Sequence, residues 1–226
     1  MNCPLPGDFI DIHTHGTLET EGIFSVDTLM AHEDRYPVKR KGIAYSFGIH
    51  PWYLTCENQE TMLRRVSEMA LLETVIAVGE AGFDKIKGPE MELQRNIFEE
   101  QVHIAEKYNK PVIIHCVRSW DELLRAHKKL KPVIPWLVHG FRGKADLAMQ
   151  LISRGMYLSF WFDFIVRPEA SALIRKLPSE RIFFETDGAE VDIREIYNKV
   201  SADFGIAIDE LKKQIFNNYM KFFRPH

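Results

Sequence analysis

The chain has 226 residues, of which 46% are hydrophobic and 27% charged, with a formal net charge of −3. That length accommodates one large single-core domain, and the charge excludes a general basic pull toward nucleic acid or anionic membrane. No apolar run approaches the ~20 residues that a membrane helix needs.

Eight short runs, rich in β-branched and aromatic residues, punctuate the chain. In order they are "DFIDIH" (8–13), "GIFSV" (22–26), "IAYSFG" (43–48), "TVIAVG" (74–79), "PVIIH" (111–115), "IPWLVH" (134–139), "GMYLSF" (155–160) and "RIFFET" (181–186). Each has the length of a buried strand, and most lack polar alternation, as parallel strands covered on both faces do. Helical patterns lie between most of them. After Gly88–Pro89, a good helix start, Met91, Phe98, Val102 and Ala105 mark one face until Asn109 and Pro111 end it. Over 207–222, Ile208, Leu211, Ile215, Tyr219 and Phe222 form an apolar stripe that reads as core packing, not a partner surface. Strand–helix alternation with eight strands implies an α/β fold, the (β/α)8 TIM-type barrel. Its outer helical ring is incomplete around residues 16–45, which are too few for two full helices between three strands. An open doubly wound sheet is the alternative.

No linker, low-complexity tract or repeat divides the chain, so a single domain over 1–226 is expected. The start, "MNCPLPGDFIDIHTHG", lacks the basic region and unbroken apolar stretch of a signal peptide. Cys3, Cys56 and Cys116 are odd in number and show no CxxC spacing, which argues against a disulfide framework and for a reducing cytoplasm.

The informative residues are those that end the runs. "FIDI" ends in His13 and His15, "VIAVG" in Glu80, "PVII" in His115, "PWLV" in His139 and "RIFFET" in Asp187. In a barrel these ends share one face, where active sites are built. Residues i and i+2 of a strand point to one side, so His13 and His15 both face inward if the strand persists. Four imidazoles and two carboxylates brought together without a cation would be costly. The joint pattern therefore points to a divalent-metal site. His32, His103, His127 and His226 end no run and read as surface or helix residues.

These residues also carry a resemblance. "DIHTHG", "GIHPW", "VGEAGFD", "PVIIHC", "VHGFRG" and "ETDGAE" occur in the order and approximate spacing of the TatD-type metal-dependent hydrolases, the TatD-related deoxyribonucleases of the amidohydrolase-like group. "NNYMKFF" resembles that family's closing helix. The resemblance implies two neighbouring divalent ions, from among Zn, Mn, Mg, Co and Ni. His13, His15, Glu80 and Asp187 would hold one, and Glu80, His115 and His139 the other, with Glu80 shared. It further implies that His50 contacts a substrate phosphate, making Asp187, Glu80 and His50 the catalytic residues. Such ions acidify a water and clamp the attacking and leaving oxygens of a phosphodiester, with Asp187 taking the proton. Asp11, Asp84 and Glu185 are candidates to orient the ligands, ordinary buried salt bridges being the alternative.

The sequence departs from the family pattern where substrate would sit. "HCVRSW" places Arg118 three residues beyond His115 instead of two, and "HGFRG" places Arg142 where a small polar residue is usual. Both are substrate-contact candidates, with solvated loop arginines as the alternative. Trp52 replaces a second polar residue after His50–Pro51, and Ala189 stands where a proline is common. Trp52, Tyr53, Trp161 and Phe162 can stack on an unpaired base. The expected function is a deoxyribonuclease that trims DNA from a single-stranded end, with no membrane and no obligate protein partner. The alternatives are a metal-dependent carboxylic ester or amide hydrolase, aminoacyl-tRNA deacylation included, and a metal-stabilised binding scaffold.

Overall fold

A computed structural model describes residues 3–223; His226 lies outside the described residues. Eight strands are present: β1 (Phe9–Thr14), β2 (Ile23–Met30), β3 (Ile43–Gly48), β4 (Val75–Asp84), β5 (Val112–Val117), β6 (Trp136–Val138), β7 (Tyr157–Trp161) and β8 (Ile182–Glu185). Each falls on one of the eight apolar runs. They follow one another through a single sheet in the order β1 to β8, and β1–β2, β3–β4, β4–β5, β5–β6 and β7–β8 pair in parallel. Just past β8, the Asp187 N–H donates to the His13 carbonyl of β1 at 3.1 Å. Sequential order that returns to its first strand is the connectivity of a (β/α)8 barrel, whereas a doubly wound sheet reverses its order at a switch point. No helix lies between β1 and β3 among the described residues. The helical ring is therefore incomplete at 16–45, as the segment's length requires.

The chain forms two compact units. One comprises Thr28–Lys39 and Tyr45–Val138. It holds β3 to β6 with α1 (Gln59–Met69), α2 (Met91–Lys107) and α3 (Trp120–Leu130). Helix α2 lies where the periodicity places it, and Asn109 leaves it in the left-handed region at φ 50°. Its inward face carries Phe98, Val102 and Ala105, but also two buried glutamines, Gln94 and Gln101. Gln101 satisfies both backbone groups of Ile49, accepting from its N–H at 2.7 Å and donating to its carbonyl at 3.2 Å. Gln94 does the same for Asp84, at 2.8 and 3.0 Å.

Strand β4 corrects the sequence reading. It does not end at Gly79 with Glu80 beyond it; it runs on to Asp84, and its register against β5 shifts between Val78 and Ala81. Glu80 thus sits within an irregular strand, not past its end. The glycines that look like a terminator are demanded by close packing. A Cβ on Gly79 (φ 142°) would lie 2.4 Å from the Ile113 carbonyl oxygen, and one on Gly82 (φ 151°) 2.0 Å from that of His115.

The second unit comprises 3–27, Arg40–Ala44 and 139–223. It contains β1, β7 and β8 with α4 (Ala145–Ile152), α5 (Phe162–Ile165), α6 (Pro168–Ile174), α7 (Ile193–Phe204) and α8 (Ile208–Phe223). Helix α8 buries Leu211, Ile215, Tyr219 and Phe222, the predicted stripe, so that face is core. Phe222 packs edge-on against Tyr157 and Phe183, with centroids at 5.0 and 5.8 Å. Asn218, fully buried on the same face, donates through Nδ2 to the carbonyls of Ser179 and Ile182, both at 2.8 Å. The closing helix is thereby tied to the start of β8.

Candidate functional site

The strand ends of the second unit bring His13, His15, His139, Glu185 and Asp187 together. His13 is the last inward residue of β1 and fully buried, and His15 follows the strand, half-exposed. Their Nε2 atoms lie 3.4 and 3.6 Å from Asp187 Oδ1. The His139 ring stacks at a tilt on that of His13, centroids 4.2 Å apart. One ligand atom from each of His13, His15 and Asp187 lies within 4.8 Å of the other two, and the same holds for His139, Glu185 and Asp187. Burial alone would raise the Asp187 carboxyl. The imidazoles of His13 and His15 that face it, and the charge of His139, hold it well below the usual carboxylate range. Asp187 is thus an anion ready to ligate at neutral pH. Its φ of 52° places it in the left-handed region, where aspartate is tolerated better than most residues.

Each side chain of this set has a support. Glu185, 0% exposed, accepts from the Gly140 N–H at 2.6 Å and from the Ser159 hydroxyl, and faces His139 Nδ1 at 3.4 Å. It thus presents one fixed oxygen to the His139 ring. The Asp11 carboxylate accepts from the Thr186 N–H and hydroxyl at 3.0 and 2.7 Å, so it anchors the residue preceding Asp187. Burial pushes the Asp11 carboxyl up to about 7. Asp27, which the sequence reading passed over, accepts from the Gly16 N–H at 2.7 Å and fixes the turn that carries His15. The polar alternation of Ser25 and Asp27 within β2 was the available signal.

The other unit holds a second set: His50, Glu80 and His115, all buried, with ligand atoms within 4.8 Å of one another. His115 Nδ1 lies 2.7 Å from Glu80 Oε1, and His115 Nε2 3.1 Å from Asp84 Oδ2. His50 Nε2 approaches the same Glu80 oxygen at 3.2 Å, while its Nδ1 accepts from the Trp52 N–H at 3.1 Å. A ring whose Nδ1 accepts carries its proton on Nε2 when neutral. His50 therefore reads as a donor to Glu80 more readily than as a ligand. Asp84 accepts from the Trp52 indole at 2.7 Å and from the N–H groups of Ile86 and Lys87 at 2.7 and 2.9 Å. Burial works against ionisation there, but these bonds prevail and hold Asp84 below the usual carboxylate range.

The remaining candidates are placed as follows. Arg118 is exposed in the turn after β5, with φ 50°. Exposed Arg142 lies over the Trp161 indole, 4.0 Å from its centroid. Tyr53 is stacked on exposed His32 at 3.7 Å. His103 is an exposed helix residue 3.8 Å from Glu100, and His127 of α3 packs edge-on against Trp136 at 5.1 Å. The donor sets combine imidazole nitrogen with carboxylate oxygen, which suits Zn, Mn, Co or Ni and suits Mg less well. Buried imidazoles facing ionised carboxylates are what such an ion requires.

A (β/α)8 chain whose strands carry two histidine–carboxylate sets is, by class, built to hold divalent cations. The model of the family described as TatD related DNase matches residues 19–224, and the chain belongs to that family. An uncharacterized metal-dependent hydrolase of Buchnera aphidicola is 29% identical over 66% of this chain and 60% of its own length. The deoxyribonuclease Tat-D of Schizosaccharomyces pombe is 26% identical over 65% and 51%. The chain thus spans only about half to three-fifths of these curated relatives. Among solved structures, a TatD family hydrolase of Entamoeba histolytica matches with a TM-score of 0.81 at 19% identity, covering 97% of this chain and 99% of that one. A TatD homologue of Escherichia coli matches with 0.78 at 22%, covering 98% and 100%. Both show the same fold. Among the described residues no helix is long and apolar enough to cross a membrane.

Proposed function

We propose that this chain is a divalent-metal-dependent phosphodiesterase that removes nucleotides from DNA, beginning at a single-stranded end. The observation that carries the reading is the Asp187 cluster: an ionised, partly exposed carboxylate facing two imidazoles at 3.4 and 3.6 Å. In this proposal His13, His15 and Asp187 serve one ion, and Glu80 with His115 serve a second, to which the resemblance adds His139. The family pattern assigns Glu80 to both. The ions, when bound, supply Lewis acidity toward phosphoryl oxygens and acidify a water. The chain's own residues do the rest.

Asp187 takes the proton. Its side chain is 26% exposed, against 0% for Glu185, whose oxygens are occupied by Gly140 and Ser159. Only the former opens to solvent where a proton must leave. His50 is 4% exposed and donates to Glu80, so its contribution is to orient that carboxylate rather than to grip a phosphate. Arg142, exposed over Trp161, supplies local positive charge that the net −3 does not. The name given to the S. pombe relative supports DNA as the substrate class.

The test is an end-labelled single-stranded DNA oligonucleotide, incubated with chelator-stripped protein and added Mn2+, beside an Asp187→Asn protein. A metal-dependent ladder absent from the variant is expected, and its polarity identifies the attacked end. Intact DNA with ions demonstrably bound refutes the nuclease reading and shifts the substrate to a carboxylic ester or amide.

A further inference from the structure

Trp52 departs from the family pattern, and its surroundings give it a task. It lies in the short 3-10 turn Pro51–Tyr53 that follows β3, with 41% of its surface exposed. Its backbone N–H donates to His50 Nδ1 at 3.1 Å, and its indole N–H donates to Asp84 Oδ2 at 2.7 Å. The same Asp84 oxygen meets His115 Nε2 at 3.1 Å. Edge-on ring contacts join the indole to both imidazoles, with centroids 4.8 Å from His50 and 5.8 Å from His115. On the outer side the Lys87 ammonium sits 3.8 Å from the indole centroid, a cation–π contact that holds the ring in place.

Asp84 is itself pinned. Its other oxygen takes the Ile86 and Lys87 N–H groups, and its backbone is satisfied by Gln94. A carboxylate so held offers one remaining direction to a neighbouring ring. A neutral His115 that gives its single N–H to Asp84 keeps a lone pair on Nδ1, the atom 2.7 Å from Glu80. The indole N–H fixes where Asp84 Oδ2 points, and hence which His115 nitrogen is left to ligate.

We infer that Trp52 is a positioning residue for the His50–Glu80–His115 set, acting through Asp84 on the tautomer and orientation of His115. The inference rests on the reading that this set helps to hold an ion. A smaller apolar ring keeps an aromatic face at this half-exposed position but loses the donor, so Trp52→Phe removes the hydrogen bond with the least change of packing.

The experiment uses the full chain, stripped with chelator and titrated with Co2+ alone, followed by calorimetry and visible absorption. Wild type should show two binding events. Trp52→Phe should weaken one of them about 10- to 100-fold, the usual effect of losing a group that orients a ligand. The other event and the melting midpoint of the ion-free protein should stay as in wild type. Asp84→Asn should weaken the same event, and adding Trp52→Phe to it should cost little more, because both act along one chain of contacts. A Trp52→Phe isotherm identical to wild type overturns the inference, whether or not the variant melts earlier, since the residue is then merely structural. Full additivity with Asp84→Asn overturns it as well. A wild-type protein that binds no ion overturns the metal reading itself, and that failure shows before any substitution is made.

Discussion

Glu185→Gln separates two explanations of the buried carboxylate beneath His139. The side chain is isosteric, so Oε1 can still accept from the Gly140 N–H now at 2.6 Å, and the hydroxyl of Ser159 can turn to accept from the new amide. What disappears is the charge. Hydrogen bonds to charged groups contribute about 1.5–3 kcal/mol and neutral ones about 0.5–1.5. Two short bonds and a long one at 3.4 Å would thus lose about 2 kcal/mol together, partly offset because a buried charge is removed. Stability should therefore fall by about 1–2 kcal/mol at most. Ion affinity should fall more, about 10- to 100-fold, because the acceptor facing His139 Nδ1 loses the charge that fixes the ring's proton there and makes Nε2 a better donor to the ion. Calorimetric titration of the ion-free protein and a denaturant melt on the same sample give both numbers. Wild-type affinity in the variant would show that Glu185 does not orient His139. Complete loss of the ion would show that Glu185 is itself a ligand; either result refutes the division of labour drawn here.

Three further expectations follow from the same geometry. The Asp187→Asn protein should give no DNA ladder yet fold normally, as read by gel and by circular dichroism. Because Asp187 is held below its ordinary range in the folded state, its ionisation stabilises the ion-free protein above about pH 4 and that contribution is lost as the pH falls further. The stability of Asp187→Asn should therefore decline less steeply with acid than that of wild type, as urea midpoints across that range would report. Asn218→Ala strands the Ile182 carbonyl in the core, while the carbonyl of exposed Ser179 can turn to water, and should cost about 1–3 kcal/mol, seen as a lower denaturant midpoint at constant slope.

The strand pattern was legible because parallel strands buried on both faces read as continuous apolar runs, and these have little else to resemble. Helices α2 and α8 were legible through their stripes, but the buried amides on those stripes were not. Gln94, Gln101 and Asn218 occupy inward positions, and a rule that sorts polar residues to the outside assigns them to solvent. Their work is to satisfy backbone groups at Asp84, Ile49 and Ile182, which only the fold brings near. Glu80 was read as a strand end, whereas it lies within β4. The glycines beside it look like punctuation in one dimension, whereas in three they admit the carbonyls of Ile113 and His115. Asp11 was placed on the right side of β1, but its partner, Thr186, lies 175 residues away in sequence and no local pattern announces it.

The carboxylates of the two sets divide by the company they keep. Asp84 takes two backbone N–H groups and Glu185 takes one, with a side-chain donor added to each from Trp52 and Ser159. Backbone donors cannot rotate away, so these two carboxylates are fixtures, and each presents a fixed oxygen to one imidazole. They select opposite nitrogens. Asp84 meets Nε2 of His115 and leaves Nδ1, while Glu185 meets Nδ1 of His139 and leaves Nε2. Glu80 and Asp187 instead face imidazoles, His50 and His115 in one case and His13 and His15 in the other. A carboxylate met by imidazoles has partners that a cation can replace, whereas one anchored by backbone amides does not. On the proposed reading Glu80 and Asp187 would be the ligands, and Asp84 and Glu185 would aim the histidines beside them.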